Sequence, residues 1–598
     1  MKIAYKNQVL ERTLIGVKAA TSMVVVASFV LLFGFYDPPM PTSIIFNVQI
    51  VMLFIFLTGK VIRLLNAESK KEYLLANWYE IPMLTALAVV ALGSFQGGFG
   101  ETEPGRVRHL AVGIYLIIEV TTKVFMTSVS LAATGRNPTQ TLVGSFVVLI
   151  AAGAGLLMLP TATTGPESLR FVDSLFTATS ATCVTGLVVK NTGEDFTFLG
   201  QIIILILIQL GALGIMVFGA VLALLLGQAF SLRESVALQD LLSARTLGRI
   251  GNIIVFIFAV TMVVEGLGAI ALFHMWAEIP TWDGHTHSQI FYSLFHSISA
   301  FCNAGFDLTG SSLVPYSGSW QAYGVICPLI VLGGLGFGVL YNVASVLNDR
   351  VRLFIRRRVR GQYAIAMEPP TKLRLQSKIV LTATAVLIVL GMLGLLLFEH
   401  CSGRSDRVGE LGVFGALFQS VTARTAGFNT VPIAGLTESS KFILILLMFI
   451  GGAPGSTAGG IKTVTLVILI MAVIAMLRKR AEVEMFRRSV RQVVVGRALT
   501  VVMLFIVVLF LASLALSMTE SPYPQGFTML DYMFEAASAL GTVGLTTGVT
   551  STLTVAGRLI IIVVMLIGRL GPLTLVAALT FNLKPARYNY PDEAIIVG

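Results

Sequence analysis

Four short stretches of the chain close on the same kind of tripeptide: Val184-Thr185-Gly186, Asn303-Ala304-Gly305, Thr425-Ala426-Gly427 and Thr542-Val543-Gly544. Their glycines stand 119, 122 and 117 residues apart, which marks an internal repeat. None of these residues carries a charge, so their chemistry must run through main-chain oxygens. Glycine reaches backbone angles that turn carbonyls inward, and nothing bulkier fits beside an ion at a shared axis. Carbonyls gathered in this way replace the water shell of a cation. Each tripeptide lies in a stretch that opens with phenylalanine: Phe176–Leu187, Phe295–Phe306, Phe418–Phe428 and Phe534–Leu545. The first part of each stretch reads as a short amphipathic helix. Its C-terminus, equivalent to about half a negative charge, favours a cation without any carboxylate. One such tripeptide among 57 glycines would read as helix packing; four at one period read as a cation pathway.

Backbone leaves helical form at membrane depth only where it lines a wet cavity or is buried in protein. Half-helices such as Tyr292–Cys302 are too short to cross, so they must enter and return. Each unit therefore needs an outer helix, a pore half-helix, a loop and an inner helix. The outer helices fall near 140–160, 251–273, 378–398 and 498–517, and the inner ones near 200–226, 321–346, 441–477 and 557–581. The chain divides into an N-terminal region, 1–136, and four units at 137–246, 247–377, 378–497 and 498–598. The expected fold is an all-α polytopic membrane protein with four pseudo-symmetric units around one pore. About four extra spans precede them, near 13–35, 44–64, 79–96 and 109–131. The last of these has only Arg106, Arg108 and Lys123, not the charge at every third residue that a voltage sensor moves through the field. A packing or assembly role is expected for this region.

Composition agrees. The chain has 598 residues, 55% of them hydrophobic and only 12% charged, and its mean hydropathy is +0.85; soluble domains carry about 25% charged residues. The run after Met1-Lys2-Ile3 is long and lacks a small-residue cleavage pattern, so it is read as a retained span. A net charge of +11 would suit a nucleic-acid partner, but its distribution does not. Only Arg106, Arg108, Arg170, Lys190, Arg404 and Arg407 fall in loops on the side away from the N-terminus, which places both termini in the cytoplasm. The clusters at 350–360 and 478–491 read as topology signals and lipid-headgroup contacts. Cys183, Cys302, Cys327 and Cys401 show no metal spacing.

The third inner helix departs from the others. Gly451, Gly452, Pro454, Gly455, Ser456, Thr457, Gly459 and Gly460 make a composition that breaks a helix. A flexible plug just inside the glycine loops is the reading. Arg569, in an apolar run, needs a partner, because a charge there costs roughly 2.5–3.5 kcal/mol. The carbonyls of the plug are the natural one, and Lys462 is held there or reaches the cytoplasmic interface. Arg424 and Glu535 are expected to pair behind the loops, and Glu119 and Glu265 to be satisfied packing groups. An enzyme is disfavoured: Gly455–Thr463 approaches a phosphate-binding loop, but Ile461 interrupts it and no strand precedes it. A membrane sensor or assembly subunit that transports nothing is the rival reading from another class.

The stretches Phe418–Thr430, Gly451–Thr463 and Ala539–Gly548 closely resemble the third pore loop, third inner helix and fourth filter of the Ktr/Trk/HKT potassium-transporter superfamily. The likeness covers about 140–598 and is nearest to the Ktr-type membrane subunit. It implies a single-file potassium pore in one chain of the plasma membrane, usually paired as a homodimer. It implies that 451–460 is an intramembrane gating loop that Arg569 contacts, and that cytoplasmic nucleotide-binding subunits regulate transport. No cofactor is implied in the chain itself; potassium is the cargo, and sodium remains open as a coupling ion. Glycine in all four filters is the potassium-preferring pattern, and a serine in the first marks sodium-preferring members.

Overall fold

The computed structural model describes residues 5–78, 80–85, 89, 111–120, 122, 138–165, 168–214, 220, 250–276, 287–360, 372–401, 411–480, 482–520 and 526–572. Long apolar helices form its outside. Ile250–Leu272, Leu375–Cys401 and Gln492–Glu520 are the second to fourth outer helices, and Pro138–Leu157 is the first. Val386, Leu390, Leu393 and Leu397 point away from the protein along one of them. That is the arrangement of a helix solvated by lipid tails.

Inside this ring stand four short helices, Phe171–Cys183, His287–Cys302, Val413–Thr422 and Met529–Gly541. At about 1.5 Å per residue none reaches across a hydrocarbon core about 30 Å thick. Phe176, Phe295, Phe418 and Phe534, near the middle of each, are completely buried. The inner helices start where a threonine caps them: Thr197, Thr437 and Thr554 accept from the amides of Gly200, Ser440 and Gly557.

The inner helices differ from the sequence expectation. Only the third was expected to break, yet the first, second and fourth also stop, at Gly214, Gly336 and Gly571. These glycines share one conformation, with φ/ψ of 82/138°, 84/139° and 82/135°. No side-chain-bearing residue adopts such angles readily, so a single glycine ends each helix. Beyond Gly336 the chain resumes as Phe337–Arg360, turned by 102° from Ala322–Leu335. Three residues before each break, Gly211, Gly333 and Gly568 lie against the carbonyls of Thr182, Phe301 and Leu540, where a Cβ would collide. The third inner helix consists of Glu438–Phe449 and Thr463–Leu477, separated by a loop. Past it, Val483–Met485 and Arg488–Val490 form a small antiparallel hairpin that an all-helical reading omitted.

At the N-terminal side, Gln8–Phe33 and Thr42–Asn66 are long enough to span. The sequence-based span at 79–96 is helical at 80–85 and lies otherwise largely outside the described residues, as does 109–131 beyond Ala111–Val120. A buried ion network fills this bundle. Glu119 takes Lys18 at 2.5 Å and Lys60 at 2.9 Å, Lys60 reaches Glu80 at 3.2 Å, and Arg63 reaches Glu11 at 3.1 Å. Glu119 is thus a satisfied packing group. The bundle meets the turn that follows the first outer helix, where the Thr161 hydroxyl donates to the Phe33 carbonyl at 2.6 Å.

Neighbouring units are stitched at the outer ends of the short helices. Asp173 pairs with Arg558, and Asp531 with Lys441 at 3.2 Å, each acid being in the first turn of a short helix and each cation at the start of an inner helix. The other two seams are aromatic, Phe198 on Phe291 at 4.8 Å and Tyr323 on Phe414 at 5.6 Å between centroids. Lys441 and Asp531 are each only 8% exposed. Replacing Lys441 by Met is expected to cost roughly 3 kcal/mol by leaving a buried carboxylate unpaired. Adding Asp531→Asn, which keeps an acceptor for the Thr528 cap, should recover part of that loss, read by thermal unfolding of the purified protein in detergent as a double-mutant cycle.

Candidate ion pathway

Each short helix leads into a left-handed residue, directly after the first, second and fourth and three residues after the end of the third. Val184, Asn303, Thr425 and Thr542 take left-handed backbone angles, with φ of 57°, 59°, 82° and 50°. Such angles are rare for β-branched residues and reverse the chain abruptly. The next amide turns back to the helix: Thr185, Ala304, Ala426 and Val543 donate to the carbonyls of Ser180, Ser299, Thr422 and Ser538 at 2.7–2.9 Å. Side-chain hydroxyls at these same four positions secure the loop from behind. Ser180 and Ser538 accept from the amides of Gly186 and Gly544, both at 3.1 Å. Ser299 and Thr422 instead donate to the carbonyls of Phe306 and Phe428, at 2.8 and 2.6 Å. Sequence reasoning missed these four hydroxyls, although a Ser or Thr five or six residues before each glycine was there to be read.

The four loops meet. A Cβ placed on Gly186 would strike the Ala304 carbonyl, and one on Gly305 would lie 2.7 Å from the Ala426 carbonyl. On Gly427 it would lie 2.5 Å from the Val543 carbonyl, and on Gly544 it would strike the Thr185 carbonyl. The contacts close a ring in chain order, 186 to 305 to 427 to 544 and back to 186. All twelve tripeptide residues are buried, and among the described residues none of their carbonyls accepts a hydrogen bond. Buried carbonyls ordinarily have partners. The second amide of each tripeptide is spent on its own helix, so the ring presents buried carbonyls without donors among the described residues.

Behind the ring, Glu535 is fully buried. It accepts from the Thr546 hydroxyl, from the Thr547 amide at 3.0 Å and from the Thr550 hydroxyl at 2.6 Å. The expected pairing of Arg424 with Glu535 is therefore corrected. Glu535 pins the segment that follows Gly544, while Arg424 turns to the second and third units, its Nη2 3.5 Å from the Thr384 hydroxyl. Arg424 borders a small cavity lined also by Ile330, Gly334 and Val421. Glu265 behaves as expected of a packing group, accepting from Gln209 at 3.2 Å and from the Cys302 thiol.

On the other side of the ring lies the loop from Ile450 to Lys462. It is folded on itself, with the Gly451 amide donating to Ile461 at 2.9 Å and the Ser456 hydroxyl to Ala453 at 2.7 Å. It presses upward: a Cβ on Gly459 would strike the Thr542 hydroxyl. Towards the second inner helix, the Ala453 amide donates to Gly334 at 2.9 Å and the Phe337 amide donates to Gly455 at 3.0 Å. The Pro454 carbonyl stands 2.9 Å from where a Gly336 Cβ would be, and a Cβ on Gly452 would lie 2.8 Å from the Gly334 carbonyl. Arg569 donates to the Thr457 carbonyl as expected, and also to Gly211 at 2.6 Å and Ala212 at 3.1 Å. Lys462 stays within the loop, donating to Ala458 at 2.7 Å. The sequence-derived loop residues thus form one folded segment that meets the ring at Gly459, the second inner helix at residues 452–455 and Arg569 at Thr457.

Glu535→Leu is expected to leave the Thr547 amide and the Thr550 hydroxyl buried without an acceptor, a loss of about 2 kcal/mol or more. Glu535→Gln keeps one acceptor oxygen and should lose clearly less, measured by thermal unfolding in detergent.

A family model described as TrkH, cation transport protein, matches residues 106–588. The match begins upstream of the boundary near 137 set from sequence, so part of the N-terminal region belongs to it. The Ktr system potassium uptake protein B of Bacillus subtilis is 38% identical over 467 residues, covering 77% of this chain and 97% of that protein. The potassium/sodium uptake protein NtpJ of Enterococcus hirae is 36% identical over 471 residues, with the same coverage. The crystal structure of the potassium transporter TrkH from Vibrio parahaemolyticus superposes with a TM-score of 0.55 at 20% identity, over 85% of this chain and 97% of that one, a likeness of fold. These relatives are transport proteins rather than enzymes, and with the multi-pass helical fold and the buried ring of carbonyls they identify the chain as a member of the TrkH family of cation transport proteins.

Proposed function

We propose that this protein takes up potassium across the plasma membrane, passively, through the ring formed at Gly186, Gly305, Gly427 and Gly544. The observation that carries the reading is the closed set of buried carbonyls that have no donor among the described residues. Relatives that this chain covers over nearly their whole length are named as potassium uptake proteins, which supports potassium as cargo. The name of the Enterococcus relative includes sodium and favours sodium as a second or coupling ion, the alternative to be tested alongside. The loop 450–462 is the gate in this reading. It lies under the ring and is tied to the first, second and fourth inner helices by Arg569, Gly334 and Phe337. The distribution of Lys and Arg supports a cytoplasmic position for both termini. The resemblance to Ktr-type subunits supports a homodimer regulated by cytoplasmic nucleotide-binding subunits.

Rubidium uptake into proteoliposomes, with sodium competition and with or without an imposed membrane potential, tests the reading directly. Absence of flux from folded protein would leave the sensor or assembly role standing. Gly186→Ser should weaken discrimination against sodium, since its added side chain meets the Ala304 carbonyl of the next loop. Unchanged selectivity would contradict the assignment of the ring. Shortening 451–460, or replacing Arg569 by Gln, should raise flux. Loss of a charge-assisted bond worth roughly 1.5–3 kcal/mol corresponds to about a tenfold or greater shift toward the open loop.

A further inference from the structure

The helix Phe337–Arg360 is unaccounted for by the pathway. It is 24 residues long, about 36 Å, and leaves the pore at 102° to the membrane-crossing segment before it. A segment perpendicular to a membrane span runs along the membrane plane. Its root is fixed: Asn342 accepts from the Arg374 amide at 2.9 Å and from the Ser377 hydroxyl at 2.8 Å, at the start of the third outer helix. That outer helix has 27 residues, about 40 Å, more than the hydrocarbon thickness, so its first turn sits at headgroup level. The adjacent residue, Lys378, stacks over the ring of Phe486 at 5.8 Å, at the tip of the hairpin 483–490. Arm and hairpin tip are therefore at one height.

Both have the chemistry of a membrane interface. Past Val346 the arm exposes Leu347, Val351 and Ile355, at helical spacing along one line, with 61%, 46% and 51% of their surface open. Arg350 and Arg352 flank that line, and the sequence adds Arg356, Arg357, Arg358 and Arg360. The hairpin tip presents a half-exposed Phe486 beside Arg487 and Arg488. Amphipathic basic helices with these features bury their apolar line at the acyl boundary and hold anionic headgroups with their cations. A second protein copy would match the apolar line but would set one cluster of arginines against another.

We infer that Phe337–Arg360 and the hairpin tip bind anionic phospholipid headgroups of the cytoplasmic leaflet, and that the arm transmits this to the loop through the Phe337–Gly455 hydrogen bond. Lipid contact at the basic clusters was expected from sequence; the perpendicular arm, its shared height with the hairpin and its link to the loop were not. The flux part rests on the proposed transport reading, whereas lipid binding does not.

The test uses the full-length protein, wild type against Arg350→Gln/Arg352→Gln and Arg487→Gln/Arg488→Gln. Phosphatidylglycerol retained by the purified protein is read by native mass spectrometry. Rubidium flux is compared in vesicles of phosphatidylcholine with and without phosphatidylglycerol. Each arginine removed is expected to lower lipid retention roughly fivefold. Wild-type flux should depend on phosphatidylglycerol and that dependence should fall in both variants, while flux in phosphatidylcholine alone stays as in wild type. The surface potential of the vesicle acts equally on all three proteins, so it cannot produce the difference. Unchanged lipid retention overturns the binding site. Retention lowered with lipid dependence of flux intact overturns the link to the loop, and dissociation of a dimer with retention intact assigns the face to a second copy instead. Absence of flux from every protein, with retention lowered in the variants, overturns the transport reading and leaves the lipid site in place.

Discussion

The rest of this structure depends on a ring of buried main-chain carbonyls in the four glycine tripeptides that, among the described residues, accept no hydrogen bond. In a hydrocarbon setting each such oxygen is costly unless something positive faces it. The chain creates twelve of them by stopping four helices early and reversing the backbone at Val184, Asn303, Thr425 and Thr542. The strain of left-handed angles at four side-chain-bearing residues is tolerated only because the surroundings over-determine them. Amides are tied to the helix behind, hydroxyls of Ser180, Ser299, Thr422 and Ser538 secure the loops, and glycines let four backbones approach within a carbonyl of each other.

Two kinds of attachment keep the ring from relaxing. Near the outer surface, ion pairs at Asp173–Arg558 and Lys441–Asp531 flank the fourth short helix on both sides. Aromatic pairs serve the remaining seams. Deeper, Gly211, Gly333 and Gly568 bring inner helices into contact with the carbonyl ends of the short helices. Position is thus fixed from outside by charge and rings, and from within by the absence of side chains.

Much of this was legible in the sequence because it is periodic. Four glycine tripeptides at one spacing, four apolar outer spans and a glycine-rich interruption are visible in one dimension. The breaks at Gly214, Gly336 and Gly571 were not, because one glycine in an apolar run reads equally as close helix packing; only the repeated φ and ψ reveal its use. Arg424 was assigned the wrong partner because two charges near one level suggest a pair, whereas the hydroxyls of Thr546 and Thr550 and the amide of Thr547 already satisfy Glu535. The N-terminal network of Lys18, Lys60, Glu80 and Glu119 joins residues up to about a hundred positions apart, which no local pattern signals.

The specialisation of one side of the ring follows from the shared frame of the inner helices. Gly211-Ala212-Leu213-Gly214, Gly333-Gly334-Leu335-Gly336 and Gly568-Arg569-Leu570-Gly571 are the same four-residue ending, each with its last glycine in the same conformation. The second residue of that ending meets the loop 450–462 in every case, directly or through one contact. Gly334 accepts from Ala453, Arg569 donates to Thr457, and Ala212 accepts from Arg569. A plug held at three equivalent points needs a cation at only one of them, since the other two offer carbonyls that the same guanidinium or a loop amide can reach. Arg569 stands at that one point, half-buried, and its partners among the described residues are main-chain oxygens. The charge is stable there only while the loop and the broken helix ends surround it, so moving the loop must either rehydrate Arg569 or hand it to Gly211 and Ala212 alone. That requirement couples the position of the loop to water entering beneath the ring.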